Sequence, residues 1–491
     1  MSKSAALALA EANKQFKATA TSTDLDQGLT PAQSGTALWL HKRGGIELFG
    51  EAAYAVEQSK RMVTHYNEID RVIARPITRE ALEQVAGTWF DPFKSSAATE
   101  VAAGYWLASV FHRGLDPDEV AELTDFLRSG STQKKKARAK AVRRYPTGGI
   151  SEKQALILPP LLMSLAKETD WCSPFLVARK LAHTGGTRDK LAVVPGFSVT
   201  DITAYDSWDC RRFPVSYFSA GSGFCLRDAE MYRIRGETGT VAEMGLMASS
   251  IMAKQAALPA DSVIIDILYG QTAFLGTLED ADKFGKLCAT IGVSAGLNVT
   301  PMFRNADTFL GHSVGSSTEV VEAAELLRSG GNSKELATAK RFIFQFAKEL
   351  GLDASKLADL VETAIDSGDA FRSMLEIWRF HGANPEFLSR VEHDIREAFL
   401  GGLCCREIKA DSSGTINWNP VLTADIVNKR VNSPQGQENA QSGNPGSIVK
   451  GGLEIVAPHR SRVSSGETIA KVYREASVSH LAFEGAYEVD E

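Results

Sequence analysis

From residue 147 onwards the sequence alternates between strand-like and helix-like segments, and this alternation limits the folds that the chain can adopt. Residues 262–268 form a β-branched run long enough for one buried strand. The other segments are helices at 241–257, 278–289 and 319–327 and a strand at 297–303. Alternation with these lengths predicts βαβ units on a largely parallel sheet, so the predicted fold class is α/β.

The length of 491 residues is too great for a single hydrophobic core, so we expect several domains. Residues 1–73 begin Ala-, Thr- and Gln-rich and are predicted to form an N-terminal extension, a candidate surface for a protein partner. Helical patterns at 98–113 and 120–128 indicate a helical domain. The segment 432–446 (NSPQGQENAQSGNPG) is a loop, and the short strand-like segments after it predict a small C-terminal α+β domain.

The composition is ordinary for a globular protein and excludes several classes of function. Hydrophobic residues make up 44% of the chain and charged residues 23%, and a formal net charge of −6 argues against a whole-surface nucleic-acid binder. The six cysteines contain no CxxC pair, and the histidines form no cluster with ligand spacing, so we expect a cytoplasmic, reduced protein without a metal site. The longest apolar run, 155–166, contains two prolines and is too short for a membrane span.

Two glycine-rich loops indicate an anion site. Residues 182–191 read AHTGGTRDKL, and residues 147–151 read TGGIS. Glycine permits backbone torsions that point several N–H groups at one cluster of oxygens. We therefore expect these loops to form two backbone cradles that line one crevice and bind an anion.

A second constellation is suited to a planar heteroaromatic ligand with carbonyl oxygens. Ser250 and Lys254 are four residues apart on a predicted helix, so they share one face, and Arg235 precedes that helix. Arginine can form two parallel hydrogen bonds, and lysine adds a point charge. The same spacing also fits an ordinary solvent-facing helix, and spacing alone does not decide between the two interpretations.

These motifs and their order resemble those of the class II nucleoside phosphorylases, the thymidine and pyrimidine-nucleoside phosphorylase family. His183 to Leu191 and the following Val194-Pro195-Gly196-Phe197 are similar to the family's HTGGTxDKLxxxPGF motif. Tyr232-Arg233-Ile234-Arg235, Thr238-Gly239-Thr240-Val241 and Ser249 to Lys254 are similar to its YxxR, TxTV and ASIxxK motifs. Shorter similarities follow at Ala273-Phe274, at Thr277 to Ala281 and at Leu310 to Gly315, so the resemblance runs from about Arg75 to the C terminus.

The resemblance implies a helical domain plus a large mixed α/β domain that close on each other, with a small C-terminal α+β domain. The implied boundaries are 74–133 for the helical domain, completed by 227–257, then 140–226 and 258–430 for the α/β domain with the anion loops, and 447–491 for the C-terminal domain. A homodimer is implied as well. The implied ligands are a nucleoside and phosphate, the latter as co-substrate, with no cofactor.

The resemblance also implies the chemistry of the base site. Arg235, Ser250 and Lys254 would hold the O4, N3 and O2 edge of a pyrimidine, with His183 beside the base. Phosphate attacks the anomeric carbon while the N-glycosidic bond breaks through an oxocarbenium-like state. Since the departing base gains negative charge, Arg235 and Lys254 would stabilise it and are the implied catalytic cations.

The phosphate side departs from the family pattern. Where the family has Lys-His-Ser-Thr-Gly-Gly, this chain has Arg144-Tyr145-Pro146-Thr147-Gly148-Gly149. Arg144 keeps the positive charge. Tyr145 replaces the histidine often assigned to assist base departure and is a further catalytic candidate, whereas Pro146 replaces a phosphate-binding serine and donates no hydrogen bond.

Two further family serines are replaced by Ala155 and Val177. Each lost hydrogen bond to a charged partner costs about 1.5–3 kcal/mol, and a millimolar phosphate site has only about 4 kcal/mol in total. A working site must therefore be rebuilt from other groups. Candidate phosphate-binding residues are Arg144, Thr147, Gly148, Gly149, Ser151 and Thr187, with Lys153, Lys180 and the basic run 134–140 as further sources of charge.

Three functions follow from this mixture of retained and lost residues. The first is phosphorolysis of a pyrimidine nucleoside or nucleotide at a rearranged phosphate site. The second is a nucleosidase or base-exchange enzyme that keeps the base site and uses another nucleophile. The third is a catalytically silent relative that acts as a nucleoside-binding or structural protein.

Overall fold

The computed structural model describes residues 77–490, except 95, 130, 132–136, 138, 167–169, 180–184, 221–223, 429–449, 476–482 and 484. The predicted extension at 1–73 lies outside the described residues. The chain divides into two compact units, one with residues 77–133, 222–258 and 290–295 and one with residues 134–221, 259–289 and 296–490. No helix in the described ranges combines the length and apolarity that a bilayer crossing requires.

The helices that we number are, in chain order, α1 (Ala97–Arg113), α2 (Pro117–Arg128), α3 (Gln154–Leu165), α4 (Thr187–Leu191), α5 (Leu226–Thr238), α6 (Met244–Ala257), α7 (Leu278–Ser294), α8 (Ser316–Ser329), α9 (Lys334–Leu350), α10 (Ala354–Asp366), α11 (Asp369–Phe380), α12 (Pro385–His393), α13 (Ile395–Leu400) and α14 (Pro420–Ile426).

The strands are β1 (Lys140–Pro146), β2 (Trp171–Leu176), β3 (Thr200–Asp201), β4 (Val215–Ser219), β5 (Ser262–Tyr269), β6 (Asn298–Asn305), β7 (Ser313–Val314), β8 (Cys404–Lys409), β9 (Gly414–Trp418), β10 (Gly451–Ile455), β11 (Arg462–Val463), β12 (Thr468–Arg474) and β13 (Tyr487–Asp490).

The first unit is helical, and α1, α2 and α6 each follow a residue whose side chain accepts from free backbone N–H groups. Asp116 caps α2 by accepting a hydrogen bond from the Glu119 N–H, and the Glu119 side chain accepts one from the Asp116 N–H in return. The core contains an aromatic cluster, in which Phe90 packs edge-on against both Trp106 and Phe126, with ring centroids 5.8 and 6.4 Å apart. This core supports the α5–α6 pair that holds the candidate base site.

The second unit is built on a six-stranded sheet in the order β3-β4-β2-β1-β5-β6, and every pairing is parallel. The predicted α/β class with a largely parallel sheet is therefore confirmed. The chain leaves β1 towards β2 on one side and later adds β5 on the other side. In open parallel sheets, ligands bind outside the carboxyl ends of the strands at such a switch point, and here that position follows β1.

Helices cover this sheet and exclude water from the strands. The apolar helix α3 packs against β2 and β4, and α8, α9 and α11 pack against α3. Residues 155–166, predicted as an apolar run interrupted by prolines, form most of α3 with Pro159 and Pro160 inside the helix. The surrounding helices bury α3 almost completely, so tertiary packing outweighs the cost of the two prolines.

The strands after residue 450 pair with strands from earlier in the chain. β10 and β12 join β7 and β8 in a four-stranded sheet in the order β7-β10-β12-β8. β11 and β13 flank β9 in a three-stranded sheet. The segment 447–491, predicted as a C-terminal α+β domain, thus contributes two strands to each of two sheets that also contain residues from 313–418.

Candidate active site

The candidate base site is carried by two antiparallel helices of the first unit. Asp228, Tyr232 and Arg235 are four and three residues apart on α5 and so lie on one face of it. Arg235 contacts Leu246 in the first turn of α6, whereas Asp228 contacts Lys254 in its last turn. These contacts fix the register in which α5 presents its polar face to α6.

Lys254 and Ser250 are brought together as their spacing predicted. Lys254 Nζ donates to Ser250 Oγ at 3.0 Å and to Asp228 Oδ2 at 2.5 Å, and it lies 5.7 Å from the centroid of the Tyr232 ring. The Lys254 side chain retains 13% of its exposure. The cation is thus held in place and largely removed from water, where its interactions are stronger than on an open surface.

Asp228 was missed by the sequence analysis. Its side chain is only 4% exposed, and while Oδ2 accepts from Lys254, Oδ1 is buried without a hydrogen-bond partner among the described residues. The available signal was its position four residues before Tyr232 and seven before Arg235, on the face of α5 that the motif already marked.

Arg235 is placed differently from Ser250 and Lys254. Its guanidinium is buried and donates to the carbonyl oxygens of Thr240, Val241 and Leu246, at 3.4, 2.5 and 3.0 Å. Burial lowers its pKa. In this arrangement Arg235 ties the α5–α6 connection to α6, and its predicted contact with a base stays a prediction.

The loop at 147–151 follows β1 at the switch point of the second unit. The Thr147 N–H donates to the Asp266 carbonyl, and its Oγ1 accepts from the Leu268 N–H, each at 2.9 Å, so β5 fixes the start of the loop. Gly148 has a positive φ of 97°. A Cβ on Gly149 would lie 2.7 Å from the Leu268 side chain, so neither position accepts a larger residue without adjustment.

Ser151 ends this loop, and no described residue bonds to its hydroxyl. It has φ of 62°, an uncommon value outside glycine, and its Oγ is buried with no hydrogen-bond partner among the described residues. Tyr145 is half-buried near the end of β1, and Pro146 closes the strand. Within this segment, Ser151 thus presents the hydroxyl with unused hydrogen-bonding capacity.

Arg144 is buried in a network of arginines and carboxylates beneath the loop. It donates to Asp266 and, at 2.8 Å, to Glu152, and Arg304 donates to the same two carboxylates at 2.7 and 3.1 Å. Burial alone would raise the pKa of Glu152, but the neighbouring cations lower it to about 2. One Arg144 nitrogen, Nη1, has no hydrogen-bond partner in the described part of the chain.

Two buried lysines extend the network. Lys190, from the second glycine motif, donates to the Glu152 carbonyl at 2.5 Å and pairs with Glu319 at 2.6 Å, so it ties α4 to the residue that follows the first loop. Lys153 donates to the Leu310 carbonyl and lies 3.1 Å from Glu322. The two motifs are therefore joined through Lys190.

The network is balanced in charge. Its four buried cations are matched by four buried carboxylates: Arg144, Arg304, Lys153 and Lys190 against Asp266, Glu152, Glu319 and Glu322. A buried charge is stabilised only when it is paired, and each of these cations already has an internal partner. The positive charge predicted here is present, but carboxylates of the same unit compensate it.

Other predicted site residues are less informative. Thr187 begins α4 and is partly buried. His183, Lys180 and most of the basic run 134–140 lie outside the described residues, while Lys140 donates to the Glu349 carbonyl at 2.6 Å. Among the residues that the structure describes, no group of three or more His, Cys, Asp or Glu side chains could hold a metal ion.

Comparison with solved structures finds chains of low similarity. Anthranilate phosphoribosyltransferase from Thermus thermophilus aligns with a TM-score of 0.47 at 14% identity, covering 64% of this chain and 99% of that one. The Saccharomyces cerevisiae enzyme aligns with a TM-score of 0.48 at 11% identity, covering 65% and 98%. Values this low say nothing about the reaction.

Comparison with curated sequences is more specific, although no family model matches the chain. Pyrimidine-nucleoside phosphorylase from Geobacillus stearothermophilus is 28% identical over 384 residues, which is 76% of this chain and 87% of the relative. Thymidine phosphorylase from Agrobacterium fabrum is 25% identical over 402 residues, 80% and 88% of the two chains. A Staphylococcus aureus pyrimidine-nucleoside phosphorylase is 28% identical over 322 residues. Over most of its length the chain is therefore similar to pyrimidine-nucleoside and thymidine phosphorylases, and its divergence from them agrees with the resemblance of its motifs.

Proposed function

We propose that the protein is a pentosyltransferase that cleaves the N-glycosidic bond of a pyrimidine nucleoside with phosphate as the nucleophile. The observation that carries this proposal is the Lys254–Ser250 pair at 3.0 Å, held within a retained family motif. Relatives named pyrimidine-nucleoside and thymidine phosphorylase, aligned over most of the chain, support the same reaction.

In this reaction the bond between the anomeric carbon and the base nitrogen breaks, and its electron pair goes to the base. A phosphate oxygen forms the new bond to the anomeric carbon, which gives a sugar 1-phosphate and the free base. Negative charge therefore develops on the base and its carbonyl oxygens. Lys254, fixed by Asp228 and Ser250, offers a preorganised positive charge to that edge and lowers the barrier.

Phosphate is proposed to bind at the loop that follows β1. Its donors would be backbone N–H groups of Gly148 and Gly149 with the hydroxyl groups of Ser151 and Thr187. The buried Ser151 Oγ, which has no hydrogen-bond partner in the described part of the chain, supports this assignment. The same position in the sheet is where parallel α/β proteins bind ligands.

A second candidate function is cleavage by water, or nucleoside binding without cleavage. It is favoured by the charge balance around Arg144, because carboxylates of the same unit already compensate the buried cations beneath the loop. A phosphate dianion would have to compete with those carboxylates. Pro146, which has no N–H to donate, removes one more hydrogen bond from the loop.

The experiment is to incubate the full chain with uridine, thymidine and their 5′-monophosphates, with and without inorganic phosphate, and to follow release of free base. Base release that requires phosphate supports phosphorolysis. Release at the same rate without phosphate supports cleavage by water. No release, together with nucleoside binding in calorimetry, supports the silent homologue.

A further inference from the structure

Asp228 holds a buried acceptor that none of the described residues uses. The residue is in the first turn of α5, and its carboxylate pairs with Lys254 through Oδ2 alone. The other oxygen, Oδ1, is inaccessible to solvent and has no hydrogen-bond partner among the described residues. An unsatisfied buried carboxylate oxygen costs free energy, so its persistence points to a donor that arrives with a ligand.

The position of this oxygen identifies which ligand atom it can take. Asp228 and Ser250 both contact the Lys254 ammonium, at 2.5 and 3.0 Å, so the cation, one hydroxyl and one free acceptor lie together. A uracil-type ring presents a carbonyl oxygen, a ring N–H and a second carbonyl oxygen along one edge. That order needs a donor, an acceptor and a donor from the protein, and Asp228 Oδ1 is the acceptor of this group.

We propose that Asp228 is a specificity-determining residue that accepts a hydrogen bond from the ring N–H between the two carbonyl groups of the base. The inference deepens the proposed function, on which it rests, by assigning the base edge to a carboxylate as well as to Lys254 and Ser250. It also explains how a carboxylate can lie beside a base that becomes an anion. The ring N–H stays protonated as the glycosidic bond breaks, so Asp228 continues to accept from it in the leaving base.

The ion pair with Lys254 fixes which oxygen of the Asp228 carboxylate is available to the ligand. Because Oδ2 faces the ammonium, the carboxylate cannot rotate without losing its buried ion pair. In an Asp228→Asn variant, the amide oxygen must stay towards Lys254, which turns the NH2 group towards the ligand. The variant would then present a donor where the wild type presents an acceptor, and it would disfavour a ring N–H.

The test measures nucleoside binding by calorimetry on the full chain, without phosphate, so that no turnover is needed. The probes are uridine, 3-deazauridine, which has C–H in place of the ring N–H, and cytidine, whose ring nitrogen is an acceptor. We expect the wild type to bind uridine about 10- to 100-fold more tightly than 3-deazauridine. In Asp228→Asn that ratio should fall to near one, and the ratio of uridine to cytidine affinity should fall as well.

Glu230→Gln is the matched control, since Glu230 is a largely buried carboxylate on the same helix that pairs with Arg233 at 2.6 Å. It should keep the wild-type ratios. A wild-type ratio of uridine to 3-deazauridine near one overturns the role of Asp228 whether or not the variant folds, and leaves the proposed reaction standing. Failure of the wild type to bind any of the nucleosides overturns both proposals, whereas selective binding without base release overturns phosphorolysis alone.

Discussion

The α5–α6 pair and the loop after β1 resemble the phosphorylase motifs to different degrees. On α5 and α6 the motif residues are present, and Lys254 and Ser250 contact each other as their spacing requires. At the loop, proline and tyrosine replace the usual serine and histidine, and Arg144 is paired with internal carboxylates. Among the described residues, the helices thus have a polar group with an open acceptor, whereas the loop has its backbone and one hydroxyl without a hydrogen-bond partner.

The difference shows that a backbone cradle and its charges can diverge separately. Thr147, Gly148 and Gly149 keep the turn because β5 holds its start and the Leu268 side chain leaves no room for a Cβ at Gly149. Arg144 keeps its charge, but the charge now stabilises the sheet by pairing with Asp266 on β5. Retention of a glycine motif therefore does not by itself establish that phosphate binds there.

The largest effect is expected for Arg144→Met, which tests whether the Arg144 side chain stabilises the sheet or binds phosphate. Removing one partner of a buried charge network leaves Asp266 and Glu152 short of a cation, so the free energy of unfolding should fall by about 3–5 kcal/mol. Urea denaturation measures this fall. Lys140→Met, on the exposed end of the same strand, is the control and should cost far less. Unchanged stability with a raised KM for phosphate would place Arg144 at the anion instead.

Lys254→Ala tests the candidate base site on α5 and α6. The variant loses the preorganised cation at the base edge, so kcat/KM for base release should fall by about 10²- to 10³-fold. Lys286→Ala, at an exposed ion pair on α7, should leave the rate unchanged. Activity that survives Lys254→Ala would show that the base binds elsewhere.

The elements with a clear pattern of hydrophobic residues were predictable from the sequence. The strand predicted at 262–268 is β5, and the helix predicted at 278–289 is the first part of α7. The helix predicted from 241 begins at Met244, because Glu243 caps it by accepting from the Gly245 and Leu246 N–H groups. A capping carboxylate and a first-turn carboxylate have the same one-letter pattern, so the sequence could not separate them.

Long-range pairing was not predictable. Nothing near Arg144 in the sequence indicates that Asp266 and Arg304, from β5 and β6, surround it, because those contacts depend on the order of strands in the sheet. The β7–β10 pairing likewise joins residues more than a hundred positions apart. The sequence shows that the motif position is positively charged, but it does not show that carboxylates from other strands pair with that charge.

The two regions should also respond to acid with opposite signs. Glu152 has its pKa lowered from 4.5 to about 2, so its stabilising contribution is complete above pH 4.5 and is lost as the pH falls towards 2. Burial raises the pKa of Glu243 on the helical unit, so its contribution is lost instead as the pH rises through that raised value.

The Glu152 contribution is on the order of 3 kcal/mol, and more than half of it should be lost between pH 6 and pH 3, where urea midpoints measure the loss. Glu152→Gln should flatten the acid slope, whereas Glu243→Gln should steepen it by removing the opposing contribution. Equal slopes in all three proteins would mean that neither carboxylate dominates acid unfolding.

The smallest effect is expected at Ser151, whose hydroxyl tests directly whether the loop after β1 binds phosphate. Its Oγ has no partner in the described part of the chain, so Ser151→Ala removes no internal hydrogen bond and should leave the urea midpoint unchanged. If the hydroxyl binds phosphate, the KM for phosphate should rise about tenfold with little change in the KM for the nucleoside. Ser164→Ala, which removes a hydroxyl bonded to the Leu161 carbonyl on α3, should leave both KM values unchanged. A phosphate KM unchanged by Ser151→Ala would mean that the loop keeps the shape of a cradle without its ligand, and cleavage by water would then be the better account of the loop after β1.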